Sequence, residues 1–208
     1  MHDTLPVPAV YRDAWVLVVD KPSGLPSQAP RGGGDNLVDR LQASESYVAL
    51  HHRLDTPASG LLALAIDRRA NRGLAAAFRE RKAERRYLVV VLGRLEGTGD
   101  WTQPLQGKEA HTSWTALAHG GGLTVLEARL HTGRTHQIRR HAAGASHPVI
   151  GDRRHGGAAG RAWPRLALHA WQLQLPHPRT GQPLVCEALP GEDLLPLLAR
   201  AGWDTAGR

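Results

Sequence analysis

Two short stretches concentrate side chains able to do chemistry. His51 to Gly60 reads HHRLDTPASG, and Gly133 to Gly144 reads GRTHQIRRHAAG. In the first, Asp55 follows Arg53 by two residues and leads into Thr56, Pro57, Ser59 and Gly60, a composition that bends a chain. A carboxylate there either bonds the N–H groups of its own turn or is presented to a substrate as a nucleophile. Arg53 is superfluous to a turn and favours the second use. In the other stretch, a helix running from about Thr135 to Ala143 places Arg139 four residues after Thr135, with His136 on a neighbouring turn. A permanently charged, forked guanidinium pairs with a remote carboxylate or grips phosphate. The plainer alternative is a solvated basic helix. Gly133 before it and Ala142, Ala143 and Gly144 after it permit close backbone approach and weigh against that alternative.

Other chemistries find little support. Twelve histidines invite a metal site, yet His51 and His52 are adjacent, His136 and His141 are five apart, and no HExxH occurs. No serine is framed by GxSxG. The loop RGGGDN lacks the Gly-Lys-Ser/Thr ending of a phosphate loop. Cys186, the one cysteine, excludes an intrachain disulfide and lies in the apolar run PLVCEAL, where a buried, inert thiol is expected.

Lys plus Arg exceed Asp plus Glu by seven, and the isoelectric point is near 10.4, which suits a polyanionic partner. No apolar run approaches 18 residues and no signal peptide is apparent, so a cytoplasmic protein without membrane attachment is expected.

The elements that must position these residues can be read in outline. Ala14 to Val19 is a buried strand ending at a turn with Pro22, Gly24 and Pro26. Leu37 onward forms a short helix. GLLALAI is a second strand, and Asp67 is placed to cap a helix reaching Ala83, with Ala70, Leu74, Ala77, Phe78 and Arg81 along one side. Arg86 to Gly93 is a strand. HTSWTALAH and LTVLEARLH form a hairpin around GGG, and AWQLQLPHPRTGQPLVCEA forms another. A terminal helix follows over about 190–201, shortened or kinked by Pro196. Arg31 to Asn36, Gly156 to Arg161 and the last few residues are expected to be poorly ordered. Hairpins with interposed helices make the class α+β. A single domain is expected over residues 1–208, with its core at about 11–187.

Taken together these blocks resemble the RluA-type family of RNA pseudouridine synthases. HRLDTPASGLLALA is similar to that family's catalytic motif, RRYLVVVLG to its tyrosine-bearing strand, and GRTHQIRRHAAGASHPVIGD to its arginine helix and the H-P-x-x-G-D after it. VVDKPSGLP and LHAWQLQLPHP match the flanking elements, so the resemblance runs from about Tyr11 to Glu187. Ala58 stands where the family usually has Thr, and Arg85 where Lys is usual. The chain starts almost directly at the catalytic blocks, so the S4 RNA-binding domain carried by some relatives is not expected.

The resemblance implies a mixed, largely antiparallel central sheet with flanking helices around a catalytic cleft. It implies an isomerase that cuts the C1′–N1 bond of a uridine in structured tRNA or rRNA and joins C5 to C1′, with neither cofactor nor metal demanded. Asp55 is implied as the carboxylate that engages the sugar, either at C1′ or by a glycal route. Arg139 is implied as its partner across the cleft, opposing the rise in pKa that desolvation brings to a carboxylate. Tyr87 is implied to stack on the uracil, a contact worth about 1 to 3 kcal/mol, and to assist loss of the C5 proton. Arg53 is implied to fill the gap left by the flipped nucleotide. Arg134, Arg140, Arg79, Arg81, Lys82, Arg85 and Arg86 would then attract the RNA backbone. No obligatory protein partner is inferred, and a monomer is expected. The competing hypothesis is a catalytically silent RNA-binding or RNA-chaperone module on the same scaffold, against which Asp55, Tyr87 and Arg139 stand together.

Overall fold

A computed structural model describes residues 6–204. Its strands are β1 (Ala9–Arg12), β2 (Val16–Lys21), β3 (Ala49–Leu50), β4 (Ser59–Ala65), β5 (Glu84–Leu92), β6 (Thr98–Trp101), β7 (Thr112–Gly120), β8 (Leu123–Leu130), β9 (Leu168–Pro176) and β10 (Pro183–Glu187). The helices are α1 (Leu37–Gln42), α2 (Ala70–Arg79), α3 (Gln137–Gly144) and α4 (Leu195–Arg200). The architecture is α+β, as the hairpin pattern indicates. Two compact units emerge, one made of the chain up to Arg85 with Ala170–Leu189, the other of Arg86–His169 with the chain from Pro190 onward.

In the first unit β2 lies between β1 and β4, antiparallel to both, and β10 returns antiparallel on β9. β2 and β4 are almost wholly buried, which is why both read as continuous apolar runs rather than alternating ones. Ala70, Leu74 and Ala77 of α2 pack with Val16, Val18, Leu61 and Ala63 of the sheet and with Cys186 of β10. Burial pushes the Cys186 thiol up to about 11, so it is inert as expected.

The second unit carries the order β5-β8-β7-β6. Tyr87 faces Ala128 across β5 and β8. The β7–β8 hairpin closes through Gly121 and Gly122, both at positive φ, because a two-residue turn matching the strand twist needs two left-handed residues.

Several expected boundaries move. Asp67 does not cap α2. Its carboxylate accepts from the Arg69 N–H at 2.8 Å and from both ends of the Arg69 guanidinium, so the helix begins only at Ala70. It also ends at Arg79, short of Ala83, because Arg81 turns left-handed at φ 58°. α3 starts two residues later than Thr135, with His136 at its N-cap in the left-handed region. Pro196 falls in the first turn of α4, where a missing N–H costs nothing, so it opens that helix instead of kinking it. Asn36 is ordered: it is fully buried and accepts from the Asp39 N–H as the N-cap of α1. Ala159–Arg161 forms a 3-10 turn within the stretch expected to be loose. The last few residues lie outside the described ones. The short strands β1, β3 and β6 carry too little alternation to be read from sequence.

Candidate active site

Asp55 opens a β-turn closed by the Ala58 N–H on its own carbonyl at 3.0 Å. This turn is bonded at every carbonyl from Leu54 to Ala58. Ser27 Oγ donates to Leu54 O and accepts from Leu54 N–H. Gly24 N–H donates to Thr56 O, and Ser23 Oγ donates to Pro57 O. The Lys21 ammonium, at the end of β2 and fully buried, donates to Ala58 O at 2.7 Å and to Leu25 O at 2.7 Å. It also bonds Pro22 O at 2.8 Å and, more loosely, Thr56 O. A buried cation is tolerated only when its N–H groups are satisfied, and here they clamp the turn against the loop after β2. Gly60 then begins β4 at φ 110°, where a Cβ would come 2.5 Å from the Ala170 nitrogen. Only glycine fits.

Asp55 is half-buried on this turn and Arg53 is exposed. Ala58 lacks the hydroxyl of the family pattern, but both its backbone groups are bonded, so the turn closes without one. The adjacent histidines are structural. His52 is buried, stacks on Phe78 at 4.1 Å between centroids and accepts from the Ala63 N–H through Nε2. Burial, with Arg85 and His51 nearby, pushes it down to about 3, so it stays neutral. His51 bonds Asn71 Oδ1 at 2.9 Å. Among the described residues no three His, Cys, Asp or Glu side chains gather as a metal site.

Tyr87 and Arg139 belong to the second unit, and both are buried. The Arg139 fork engages Asp152, Nε to Oδ2 at 2.8 Å and Nη2 to Oδ1 at 2.7 Å. The Arg154 and His155 N–H groups also donate to Asp152 Oδ1. Burial raises the Asp152 carboxyl, and Arg139 with those two N–H groups more than reverses this, so it lies below its usual range. Sequence reasoning gave Asp152 no role, although it is the last residue of the H-P-x-x-G-D block.

The start of α3 is held by Gln137, whose amide is fully used. Its Oε1 accepts from Thr132 Oγ1 and Arg134 N–H, and its Nε2 donates to His111 O and Thr112 Oγ1. His141 bonds Thr112 Oγ1 and Gln103 O. Thus Gln137 and His141 of GRTHQIRRH, with Thr132 just before it and Thr112 of β7, aim the helix, leaving the arginines for other work.

The basic residues sort unequally. Arg79 and Lys82 both pair with Glu80, and Arg86 pairs with Glu127 at 3.0 Å. The Arg85 guanidinium lies 5.9 Å from the centroid of the Phe78 ring. Arg134 donates through Nε to Glu109 O. Arg53, Arg81 and Arg140 form no ion pair with a carboxylate among the described residues.

The family model described as RNA pseudouridylate synthase matches residues 15–144. The ribosomal large subunit pseudouridine synthase D of Nitrosomonas europaea is 34% identical, over 94% of this chain and 65% of its own length. The dual-specificity RNA pseudouridine synthase RluA of Yersinia pestis is 35% identical, over 86% of this chain and 98% of its own. In fold, the chain is similar to human RNA pseudouridylate synthase domain containing 4, with a TM-score of 0.77 and 21% identity over 93% of this chain and 92% of that one.

Proposed function

The chain belongs to the RluA-type family of RNA pseudouridine synthases, isomerases of uridine in RNA, and we propose that it converts specific uridines of structured tRNA or rRNA to pseudouridine through Asp55. The observation that carries the role of Asp55 is its turn. A nucleophile must be held in an attack geometry before the substrate arrives, and five consecutive bonded carbonyls leave this turn little freedom.

The target nucleotide is flipped from its stack, at a cost of a few kcal/mol. Exposed Arg53 occupies the space it leaves, stacking its planar fork on neighbouring bases. The Asp55 carboxylate engages the ribose as the C1′–N1 bond breaks. The freed uracil is retained against Tyr87 and turned so that C5 bonds to C1′. C5 then loses its proton, N1 gains one, and nothing is oxidised or hydrolysed. Arg139, fixed by Asp152, stabilises the ionised carboxylate of Asp55. Arg134, Arg140, Arg79, Arg81, Lys82, Arg85 and Arg86 attract the RNA backbone, with Arg53, Arg81 and Arg140 carrying charge that no ion pair among the described residues offsets. The whole acts as one catalytic domain, a cytoplasmic monomer with no obligatory protein partner.

Tritium release from RNA labelled at uracil C5 tests this reading. Wild type is expected to release tritium and Asp55→Asn to release none while still binding RNA. Absence of release from total cellular tRNA and rRNA with binding intact overturns it.

A further inference from the structure

In the second unit a cavity of about 790 Å³ opens in the segment that follows Asp152, lined by Arg153, Arg154, Arg161, Trp163 and Gly157. Its volume falls within the range of about 300 to 1,000 Å³ usual for small-ligand sites. The surrounding backbone is built, not slack. Gly156 N–H bonds Asp152 O at 2.7 Å, Gly151 N–H bonds Ala159 O at 3.1 Å, and a Cβ at Gly156 or Gly160 would strike the Asp152 carbonyl. Trp163 is held by one edge, its indole N–H directed to Asp193 O, and Arg165 ties the Asp193 carboxylate at 2.7 Å.

The three lining arginines differ from their neighbours Arg139 and Arg165. Those two are paired with carboxylates, whereas Arg153, Arg154 and Arg161 have no ion pair among the described residues. Three like charges around one cavity repel unless an anion joins them. Guanidinium forks match phosphate, and an indole face adds a stacking surface for a base. Phosphate and base together describe a nucleotide. The cavity is also tied to the arginine helix, because the Arg154 and His155 N–H groups bond the same Asp152 oxygen that Arg139 grips.

We propose that this cavity is a subsite for an unpaired nucleotide of the RNA substrate, outside the target uridine, with its base on Trp163 and its phosphates on Arg153, Arg154 and Arg161. The inference rests on reading the chain as an RNA pseudouridine synthase. It gives this protein a substrate-selecting contact in a segment that the catalytic motifs do not include.

Binding of a fluorescein-labelled single-stranded 12-mer RNA to the full chain, followed by anisotropy, tests it, with heparin as a polyanion that has no bases. Trp163→Ala is expected to weaken RNA binding by roughly 5- to 150-fold, the worth of one stacked base. Trp163→Phe should restore most of the loss, and neither variant should change heparin binding. The double variant Arg154→Ala/Arg161→Ala should reduce the slope of log affinity against log salt by about 1.4, near 0.7 for each phosphate contact to a single strand. Unchanged RNA affinity in Trp163→Ala, equal losses for RNA and heparin, or an unchanged salt slope in the arginine variant overturns the subsite. If Trp163→Ala does not fold, the exposed arginine pair decides alone. Tritium release separates the two readings: an active wild type with unaffected subsite variants sinks only the subsite, and an inactive wild type that binds RNA sinks the activity.

Discussion

Arg139 and Asp152 meet as a buried two-point ion pair, the guanidinium edge-on to the carboxylate at 2.8 and 2.7 Å, with the carboxylate fully excluded from solvent. Two parallel bonds fix the plane of the guanidinium as well as its position. Asp152 is therefore a positioning residue for Arg139.

Asp152→Asn replaces the carboxylate that the buried Arg139 fork grips with a neutral amide. A loss of about 3 to 5 kcal/mol in folding stability is expected, read by urea denaturation at pH 7. The wild-type carboxyl lies below its unfolded value, so its stabilisation is present above about pH 4 and is lost as pH falls through the folded value. Asp152→Asn should show less of this acid-side loss than wild type.

His52 gives a second, separate pH dependence. Its folded value is near 3 and its unfolded value about 6.5, so between these the unfolded chain binds the extra proton and stability falls as pH is lowered. The C2–H resonance of His52 is expected not to shift between pH 8 and pH 4.5. A normal titration near 6.5 would contradict the buried neutral ring.

Lys21→Met removes the donor that joins the loop after β2 to the Asp55 turn. Each buried carbonyl left without a partner costs about 1 to 3 kcal/mol, so a marked fall in melting temperature is expected. In single-turnover tritium release the rate should fall more than the apparent affinity for RNA. Equal losses in both would mean that the lysine serves stability alone.

Gly60→Ala forces a side chain into the backbone of Ala170 at a φ that disfavours it. Little soluble protein is expected from this variant, compared by expression yield with Gly122→Ala, whose added Cβ meets open space although its φ is also positive.

The legible parts of this molecule were those with local causes. Buried strands such as β2 and β4 announce themselves as apolar runs, and the Gly121–Gly122 turn follows from strand twist. Asp55 and Arg139 stood out because charge beside turn and helix signals is uncommon. Partners distant in sequence were not legible. Lys21 meets Ala58, and Arg139 meets Asp152, only after the chain has folded. Helix α2 starts later than its sequence suggests because the Asp67 carboxylate is taken up by Arg69. The left-handed His136 likewise has no local sequence signal, since histidine adopts that conformation only when its surroundings hold it there.

The burial of Cys186 has a practical side for chemical biology. Its thiol is shielded within the first unit's core and ionises only near 11, so maleimide reagents at neutral pH will leave it untouched. A cysteine installed at Arg161 or at another exposed position would be the single reactive handle on the chain. Fluorophores or spin labels can be attached there without first engineering out the native thiol.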